Sequence, residues 1–172
     1  MSGKPTLLFS EAEIAARVKD VARTIAALPL KPDIALPILI GGFVFAADLV
    51  RALARENVPL EVEFLWLRSY GNARSGVAVS LLAGPSENVR GKNILLIDGV
   101  LDVGRTIVKA QQLLQAAGAA SIVTAVAVDK GHSDAMTGAD FACFSGVSDF
   151  IVGYGMDDAG QGRGLPYIAK VG

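Results

Sequence analysis

The first thirty residues carry a helical pattern of apolar positions. Apolar side chains recur along one helical face at spacings of four, three and four residues: Ile14, Val18, Val21 and Ile25. Residues 10–13 form a capping box, in which Ser10 accepts from the first helical amides and Glu13 reaches back to the backbone of Ser10. We therefore predict an amphipathic helix that begins after Ser10 and ends near Leu28.

Short apolar runs, each bounded by glycine or polar residues, alternate with helical patterns along the rest of the chain. Runs of this length are typical of buried strands. The predicted strands are residues 36–40, 60–67, 77–82, 93–97, 121–128, 141–144 and 151–154. The predicted helices are residues 43–55 and 106–117, the second closed by Gly118. Because such alternation implies right-handed crossovers, we predict one α/β domain over residues 1–172 with a parallel sheet.

Composition narrows the class of protein. The chain is 52% hydrophobic and 19% charged, with a net charge of −1, which argues against a protein that coats nucleic acid. The single cysteine, Cys143, lies in an apolar run and is expected to be a buried thiol. No run approaches the roughly 18 to 20 apolar residues that cross a bilayer, and the N-terminus has no signal-peptide core. We expect a soluble, cytoplasmic protein without a membrane partner.

The segment from Asp98 to Thr106 is the strongest candidate for chemistry. A strand feeds two carboxylates, Asp98 and Asp102, and Gly104 then opens a helix. A glycine turn at a helix N-terminus offers free amides and a positive dipole end to a phosphate. The carboxylates would address ribose hydroxyls, a divalent cation or a proton. The residues alone leave a second interpretation open, an ordinary loop in which Asp98 ends the strand and Asp102 caps the helix.

Several stretches resemble one family, in order along the chain. Residues 94–106 are similar to the phosphoribosyl-pyrophosphate signature of type I phosphoribosyltransferases. Residues 36–49 resemble the first conserved loop of the hypoxanthine-guanine branch, and residues 149–157 with 165–168 resemble its purine-binding signature. The resemblance implies a central, mostly parallel twisted sheet flanked by helices, with a small hood built from the N- and C-terminal segments.

The resemblance also implies an activity and the residues that contact the base. A phosphoribosyl group would pass from phosphoribosyl pyrophosphate to N9 of a 6-oxopurine: hypoxanthine, with guanine or xanthine as further candidates. Asp102 would accept a proton near N7 of the purine. Lys130 would contact the oxygen at C6 and so select against adenine. Phe150 would stack on the ring, and Ile151 would offer backbone groups to its edge.

Further residues would hold the sugar and the phosphates. Asp98 would bind a ribose hydroxyl. The 5′-phosphate would lie on the backbone of four consecutive residues: Val103, Gly104, Arg105 and Thr106. The resemblance assigns Mg²⁺ to Asp157 and the pyrophosphate to Arg163. Loop residues would complete the site: Gly41 and Gly42 in the first loop, and Ser69 and Tyr70 on a mobile loop that closes over it.

Three positions depart from the family pattern. Gly99 replaces one carboxylate of an acidic pair, Val103 replaces a threonine of the phosphate loop, and Ile40 replaces a lysine before the double glycine. The missing carboxylate at Gly99 motivates an alternative, a nucleotide-sensing regulatory protein of the same fold with little or no turnover. A third possibility is transfer to a non-purine base, against which Lys130 and Phe150 argue. The resemblance further implies a homodimer or homotetramer.

Several candidate residues also have plain structural interpretations. Lys130 could be a solvated lysine at a strand end, Phe150 could belong to the core, and Asp157 could belong to a turn. We expect His132, the single histidine, to lie in a solvated loop, and Trp66 to belong to the core.

Overall fold

The computed structural model describes residues 5–70 and 78–172. It contains a main β-sheet with helices packed on both of its faces. The helices are α1 (Glu11–Ala26), α2 (Phe43–Arg55) and α3 (Arg105–Ala116). The strands are β1 (Thr6–Phe9), β2 (Ile34–Leu39), β3 (Glu61–Val62), β4 (Leu65–Tyr70), β5 (Ala78–Ala83), β6 (Asn93–Leu101), β7 (Ser121–Asp129), β8 (Phe141–Ser145), β9 (Ile151–Val152) and β10 (Ile168–Lys170). None of the helices in this part of the chain is long and apolar enough to cross a membrane.

Among the described residues the main sheet has seven strands in the order β5-β4-β2-β6-β7-β8, with β3 paired beside β2. The pairs of β2 with β3, β4 and β6 are parallel, as are those of β6 with β7 and of β7 with β8. The pair of β4 and β5 is antiparallel. The predicted α/β fold with a mostly parallel sheet is confirmed.

The central strands are apolar on both faces because each face is covered by helices. Successive side chains of a strand alternate between the faces. Leu95 and Ile97 pack in the cluster with α1 and α2, whereas Ile94 and Leu96 pack in the cluster with α3. All four side chains are fully buried. This arrangement explains the uninterrupted apolar run of β6.

Local signals in the first helix act as the sequence predicts. The Glu13 amide donates to Ser10 Oγ at 3.3 Å, and the Ser10 amide donates to Glu13 Oε2 at 2.8 Å. The buried face of α1 carries Ile14, Val18 and Ile25. The predicted capping box and helix are confirmed.

The N- and C-terminal segments meet in a second, antiparallel sheet of order β1-β10-β9, which we call the hood. Phe9 of β1 stacks on Phe144 of β8 with the ring centroids 3.7 Å apart, so the hood is joined to the main sheet. Tyr154, which follows β9, donates its hydroxyl to Asp48 of α2 at 2.7 Å. The expected small hood is confirmed.

Several element boundaries differ from the prediction. The predicted strand over residues 60–67 divides into β3 and β4, and the predicted loop after residue 68 begins as strand, because β4 pairs with β5 as far as Tyr70. The strand predicted over residues 151–154 stops at Val152, where the chain turns at Gly153 and Tyr154, both with positive φ. Residue 77 and the rest of the predicted loop lie outside the described residues.

A further difference concerns the candidate site itself. β6 continues to Leu101 because its parallel pairing with β7 extends to the register of Leu101 with Asp129. Asp98 therefore lies inside the strand, and its assignment to a loop or to a strand terminus is wrong. The expectation that Trp66 is core is also wrong, since this side chain is 42% exposed. Leu65 and Leu67 face α3, so alternation turns Trp66 to the opposite face of β4.

The connections leave the middle of the sheet in opposite directions. From β2 the chain passes through α2 to β3 and β4 on one side, whereas from β6 it passes through α3 to β7 on the other. Neighbouring strands with opposite exits form a topological switch point, and ligands of open α/β sheets bind beyond the strand ends there. We therefore expect a ligand to bind at the carboxyl ends of β2 and β6.

Candidate active site

The carboxyl ends of three parallel strands bring the predicted residues together. Gly41 and Gly42 follow β2, Asp102 follows β6 and Lys130 follows β7. Two adjoining cavities of about 260 and 190 Å³ open here and share Asp98, Val100 and Asp102 as lining residues. The first cavity is bounded by residues 102–107. The second is lined by further predicted residues: Gly41, Lys130, Phe150, Ile151, Asp157 and Arg163.

The first cavity lies at the N-terminus of α3. The N-cap is Gly104, whose φ of 83° is left-handed and whose position has no side-chain cap. The alternative interpretation in which Asp102 caps this helix is therefore wrong, because the N-cap is Gly104. A Cβ at Gly104 would lie 3.0 Å from Thr137 Cγ2, so close packing also favours glycine. The first amides of a helix have no intrahelical acceptor, and here they border an open cavity next to Thr106. This geometry suits a phosphate group.

Asp98 is an acid of the site whose pKa is shifted by its surroundings. Its side chain lies at the boundary of both cavities, and burial raises its pKa to about 7. The Gly99 amide donates to Asp98 Oδ1 at 2.7 Å, which opposes this rise by stabilising the carboxylate. Near neutral pH the group therefore exists in both protonation states, and it can donate to or accept from a hydroxyl.

Asp102 carries two cationic or proton-donating neighbours. His132 Nε2 lies 2.8 Å from Asp102 Oδ1, and Lys130 Nζ lies 3.9 Å from Asp102 Oδ2. The Lys130 side chain is only 12% exposed, so its interpretation as a solvated lysine is wrong. Its amide donates to the Leu101 carbonyl at 2.9 Å, which fixes the end of β7 beside the end of β6. A carboxylate and an ammonium group thus face one small cavity.

Glycines surround the loop after β2. A Cβ on Gly99 would lie 2.7 Å from the Gly41 carbonyl oxygen, and a Cβ on Gly155 would lie 2.5 Å from the same atom. A Cβ on Gly42 would lie 2.8 Å from the Ile97 carbonyl oxygen. The loop therefore packs directly on the backbone of β6 and of the segment after β9. Gly99, which replaces a carboxylate of the family pattern, occupies a place where no side chain fits.

Asp157 and Arg163 form a pair at the hood side of the second cavity. Arg163 contacts Asp157 Oδ1 at 2.6 Å and donates to the Gly155 carbonyl at 2.7 Å. The Gly160 amide donates to Asp157 Oδ2 at 2.7 Å, so this residue also belongs to a turn. Within residues 5–70 and 78–172 no three acidic, histidine or cysteine side chains are grouped to hold a metal. Mg²⁺ is commonly held by one or two carboxylates together with substrate phosphates, and Asp157 fits that lesser requirement.

The hood supplies an aromatic side chain and backbone groups. Phe150 is 53% exposed and lines the second cavity, so its interpretation as core is wrong. Ile151 is buried, and its strand pairs with β10. Ser69 and Tyr70 end β4, but their predicted lid role involves side chains and following residues outside the described part of the chain.

His132 is the residue that sequence reasoning missed. As expected, His132 lies in a loop and is partly exposed, at 36%, but its Nε2 lies 2.8 Å from Asp102 Oδ1, a contact that the expectation of a solvated residue did not include. One signal was available: His132 follows Lys130 by two residues, at the carboxyl end of a strand that neighbours β6. The contact itself depends on the path of the loop, which a single sequence does not define.

A larger cavity of about 470 Å³ lies elsewhere, between α1, α2 and the segment after β9. Arg163 is the one predicted site residue among those that line it. The strand-end groups discussed above line the two smaller cavities, and those cavities are therefore the candidate active site.

Known proteins resemble the chain over almost its full length. Residues 8–159 match the phosphoribosyl transferase domain family. Hypoxanthine phosphoribosyltransferase of Escherichia coli is 33% identical over 170 residues, covering 96% of this chain and 94% of that protein. Hypoxanthine-guanine phosphoribosyltransferase of Aquifex aeolicus is 34% identical, covering 98% and 95%.

Solved structures agree with this relationship. Hypoxanthine phosphoribosyltransferase from Trypanosoma cruzi, in complex with the product IMP, superposes with a TM-score of 0.87 at 29% identity, covering 99% of this chain and 95% of that one. Both the sequence match and the strand-end site lead to the same conclusion. The chain belongs to the phosphoribosyl transferase domain family.

Proposed function

We propose that the protein transfers the 5-phosphoribosyl group from phosphoribosyl pyrophosphate to N9 of hypoxanthine, and that guanine or xanthine are further acceptors. The carrying observation is the pairing of Asp102 with Lys130, 3.9 Å apart, in a cavity that adjoins the N-terminus of α3. One side of the site suits a phosphate and the other a base with a proton to lose and an oxygen to be recognised. The relatives named above, which bear the hypoxanthine activity in their names, support the proposal.

The base would be held by three side chains and one strand. Lys130 donates to the oxygen at C6, where adenine would present an amino group instead. Phe150 covers one face of the ring, which its exposure at the cavity permits. Backbone groups at Ile151 meet the ring edge. Asp102 accepts the proton that N7 loses as N9 bonds to C1′.

The sugar phosphate would lie across both cavities. Backbone groups of residues 103–106 with the Thr106 hydroxyl bind the 5′-phosphate, and the positive end of the α3 dipole favours its charge. Asp98 binds a ribose hydroxyl. As the bond from C1′ to the pyrophosphate oxygen breaks, positive charge develops on the ribose ring, and nearby carboxylates stabilise it.

The leaving pyrophosphate would be held by the loops. The loop of Gly41 and Gly42 would border the pyrophosphate; the Gly42 amide itself donates to the Ile38 carbonyl at 3.0 Å, so Gly41 is the residue of the two that would offer an amide. Arg163 would approach from the hood. Asp157 is the proposed Mg²⁺ ligand. Its carboxylate contacts Arg163 and the Gly160 amide, and Mg²⁺ would either replace these contacts or bind beside them. When bound, Mg²⁺ neutralises charge on pyrophosphate. Ser69 and Tyr70 would close over the site, because water competes with the base for C1′.

A homodimer or homotetramer is part of the proposal. Large apolar side chains share one exposed surface, which we call the Trp66 patch: Leu39, Ile40, Phe43, Phe64 and Trp66. Exposed apolar surfaces of this kind commonly mark interfaces. Ile40 immediately precedes Gly41, so assembly through the patch would also support the first loop of the site.

The regulatory alternative began from the absence of a carboxylate at position 99. The packing of Gly99 against the Gly41 carbonyl supplies a structural reason for glycine there, so this residue does not favour a protein without turnover. Binding of nucleotide by calorimetry, with no turnover of any purine, would support the alternative over an enzyme.

The first prediction tests the activity and the role of Asp102. With phosphoribosyl pyrophosphate and Mg²⁺, the protein should convert hypoxanthine to its 5′-monophosphate and leave adenine unchanged. Asp102→Asn removes the proton acceptor but preserves the shape, so kcat/KM should fall by about 10²-fold or more. Asp20→Asn, a surface change on α1, serves as the control and should have no effect. Full activity of Asp102→Asn would remove Asp102 from the mechanism.

A further inference from the structure

The loop after β7 is fastened to the segment around Asp102 at two points. The Lys130 amide donates to the Leu101 carbonyl at 2.9 Å, and the Met136 amide donates to the Val103 carbonyl at 3.0 Å. Asp102 lies between the two acceptors, and His132 lies between the two donors. The loop path is thus fixed on both sides of the contact between these two side chains.

The loop carries its own internal bonds. The Gly131 amide donates to the Asp129 carboxylate at 2.8 Å, with Gly131 at a left-handed φ of 69°. The Ala135 amide donates to the His132 carbonyl at 3.2 Å. These bonds form a turn on each side of His132, and its imidazole is therefore presented to Asp102 by an ordered backbone.

The two oxygens of Asp102 have different neighbours. Oδ1 lies 2.8 Å from His132 Nε2, within hydrogen-bond distance, whereas Oδ2 lies 3.9 Å from Lys130 Nζ. At this distance a neutral imidazole protonated on Nε2, or a charged one, can donate to Oδ1 after a small rotation of the ring. Oδ2 then keeps a free lone pair on the side of Lys130, where the purine is proposed to bind.

We propose that His132 is a positioning residue for the proton transfer: its Nε2–H holds Oδ1 of Asp102 so that Oδ2 faces N7 of the purine. This inference rests on the proposed function. The Asp102 side chain is 54% exposed and stands between the end of β6 and the start of α3, so packing alone does not hold its carboxylate. When Lys130 turns to the oxygen at C6 of the purine, His132 remains as the neighbour that orients the carboxylate of Asp102.

The orientation matters because a proton acceptor works only in a narrow geometry. His132 touches neither the base nor the phosphates in this scheme, and its effect passes through Asp102. Loss of the imidazole should therefore slow the chemical step and leave substrate binding almost unchanged.

The experiment measures single-turnover formation of the nucleotide, since product release limits the steady-state rate of many enzymes. His132→Ala should lower the single-turnover rate about tenfold, with the KM of phosphoribosyl pyrophosphate unchanged. His132→Gln places an amide donor near the position of Nε2 and should recover most of the rate. Ser133→Ala, an exposed change in the same loop, is the matched control. Equal rates for His132→Ala and the wild type would overturn the inference.

A double-mutant cycle separates positioning from a general effect on folding. If His132 acts through Asp102, His132→Ala should have little further effect in an Asp102→Ala background. Additive losses would overturn the inference, because they would mean that His132 acts independently of Asp102.

The contact can also be observed without turnover. His132 is the only histidine of the chain, so its imidazole nitrogen signals are unambiguous in an untagged, ¹⁵N-labelled sample. Nε2 should carry the proton in the wild type, and Asp102→Ala should shift the tautomer balance. An unchanged balance would contradict the contact.

The two proposals fail in different ways. A wild-type protein that turns over no purine removes the proposed function and this inference with it. Normal wild-type turnover with an unaffected His132→Ala rate removes only the inference.

Discussion

At the scale of single residues, Asp98 combines a strand position with an unusual proton affinity. Burial raises its pKa to about 7, against 3.8 for an exposed aspartate, so the folded state binds the proton more tightly than the unfolded state. The group's stabilising contribution is therefore complete below about pH 4 and is lost as the pH rises through about 7.

This linkage gives a prediction about stability. The amide side chain of an Asp98→Asn variant stays neutral, so the wild type should lose stability relative to that variant between about pH 4 and pH 7. Thermal unfolding of both proteins across this range, without ligands, measures the difference. Asp20→Asn, which changes an exposed carboxylate of α1, should run parallel to the wild type. If the difference in stability between wild type and Asp98→Asn stays constant across this pH range, burial does not raise the pKa of Asp98.

Site residues also differ in how far their roles can be predicted from their positions in the sequence. Asp102 could be identified as a candidate from its place after an apolar run, and Lys130 from the family resemblance. For His132 the sequence offers only its nearness to Lys130, because the contact with Asp102 depends on two backbone bonds that join the loop after β7 to the end of β6 and the residues that follow it. Those bonds depend on the parallel pairing of β6 with β7, which joins positions distant in sequence.

At the scale of elements, the site depends on the close approach of β6, the loop after β2 and the segment after β9. Gly99 and Gly155 both face the Gly41 carbonyl oxygen, and neither position has room for a Cβ. The binding loop is thus held by backbone packing, and even a methyl group on Gly99 would displace it.

We predict that restoring the carboxylate of the family pattern at position 99 lowers both the stability and the activity of the protein. In Gly99→Asp the new Cβ would lie 2.7 Å from the Gly41 carbonyl oxygen, so the loop must move. We expect a loss of about 1–3 kcal/mol in the free energy of unfolding, the usual range for overpacking, and a lower kcat/KM. Denaturant unfolding and the hypoxanthine assay measure these. Gly138→Ala is the control, since a Cβ there meets nothing within 4 Å. Higher activity in Gly99→Asp would contradict this account.

Element boundaries were predictable where local signals exist. The capping box places the start of α1, and Gly118, at a left-handed φ of 88°, follows the end of α3. The end of β6 was predicted four residues too early, since Asp98 and Gly99 are poor strand formers. Pairing with β7 overrides that preference.

At the scale of the whole molecule, the Trp66 patch stands apart from the two buried cores. Phe64 is 53% exposed and Trp66 is 42% exposed, whereas Leu95 and Leu96 of the central strand β6 are fully buried. An apolar surface beside the first binding loop fits the proposed assembly of identical subunits.

The corresponding prediction concerns the oligomeric state. Phe64→Glu introduces a charge into the Trp66 patch and should convert the proposed dimer or tetramer into smaller species, because an unpaired charge is costly in an apolar interface. Sedimentation velocity measures the change. Leu30→Glu, at a similarly exposed leucine outside the patch, is the control and should preserve the assembly. An unchanged sedimentation coefficient for Phe64→Glu would place the interface elsewhere.

The sequence alone determined the order and type of most elements, since apolar periodicity and capping residues act over short distances. It also identified residues 98–106 as the candidate phosphate-binding segment, because a strand, a glycine turn and a helix start follow one another there. Tertiary structure alone decided that Asp98 lies inside a strand, that Gly99 packs on Gly41 and that His132 meets Asp102. Each of these depends on strands and loops far apart in the chain, and their approach is fixed by sheet pairing and packing of the whole fold.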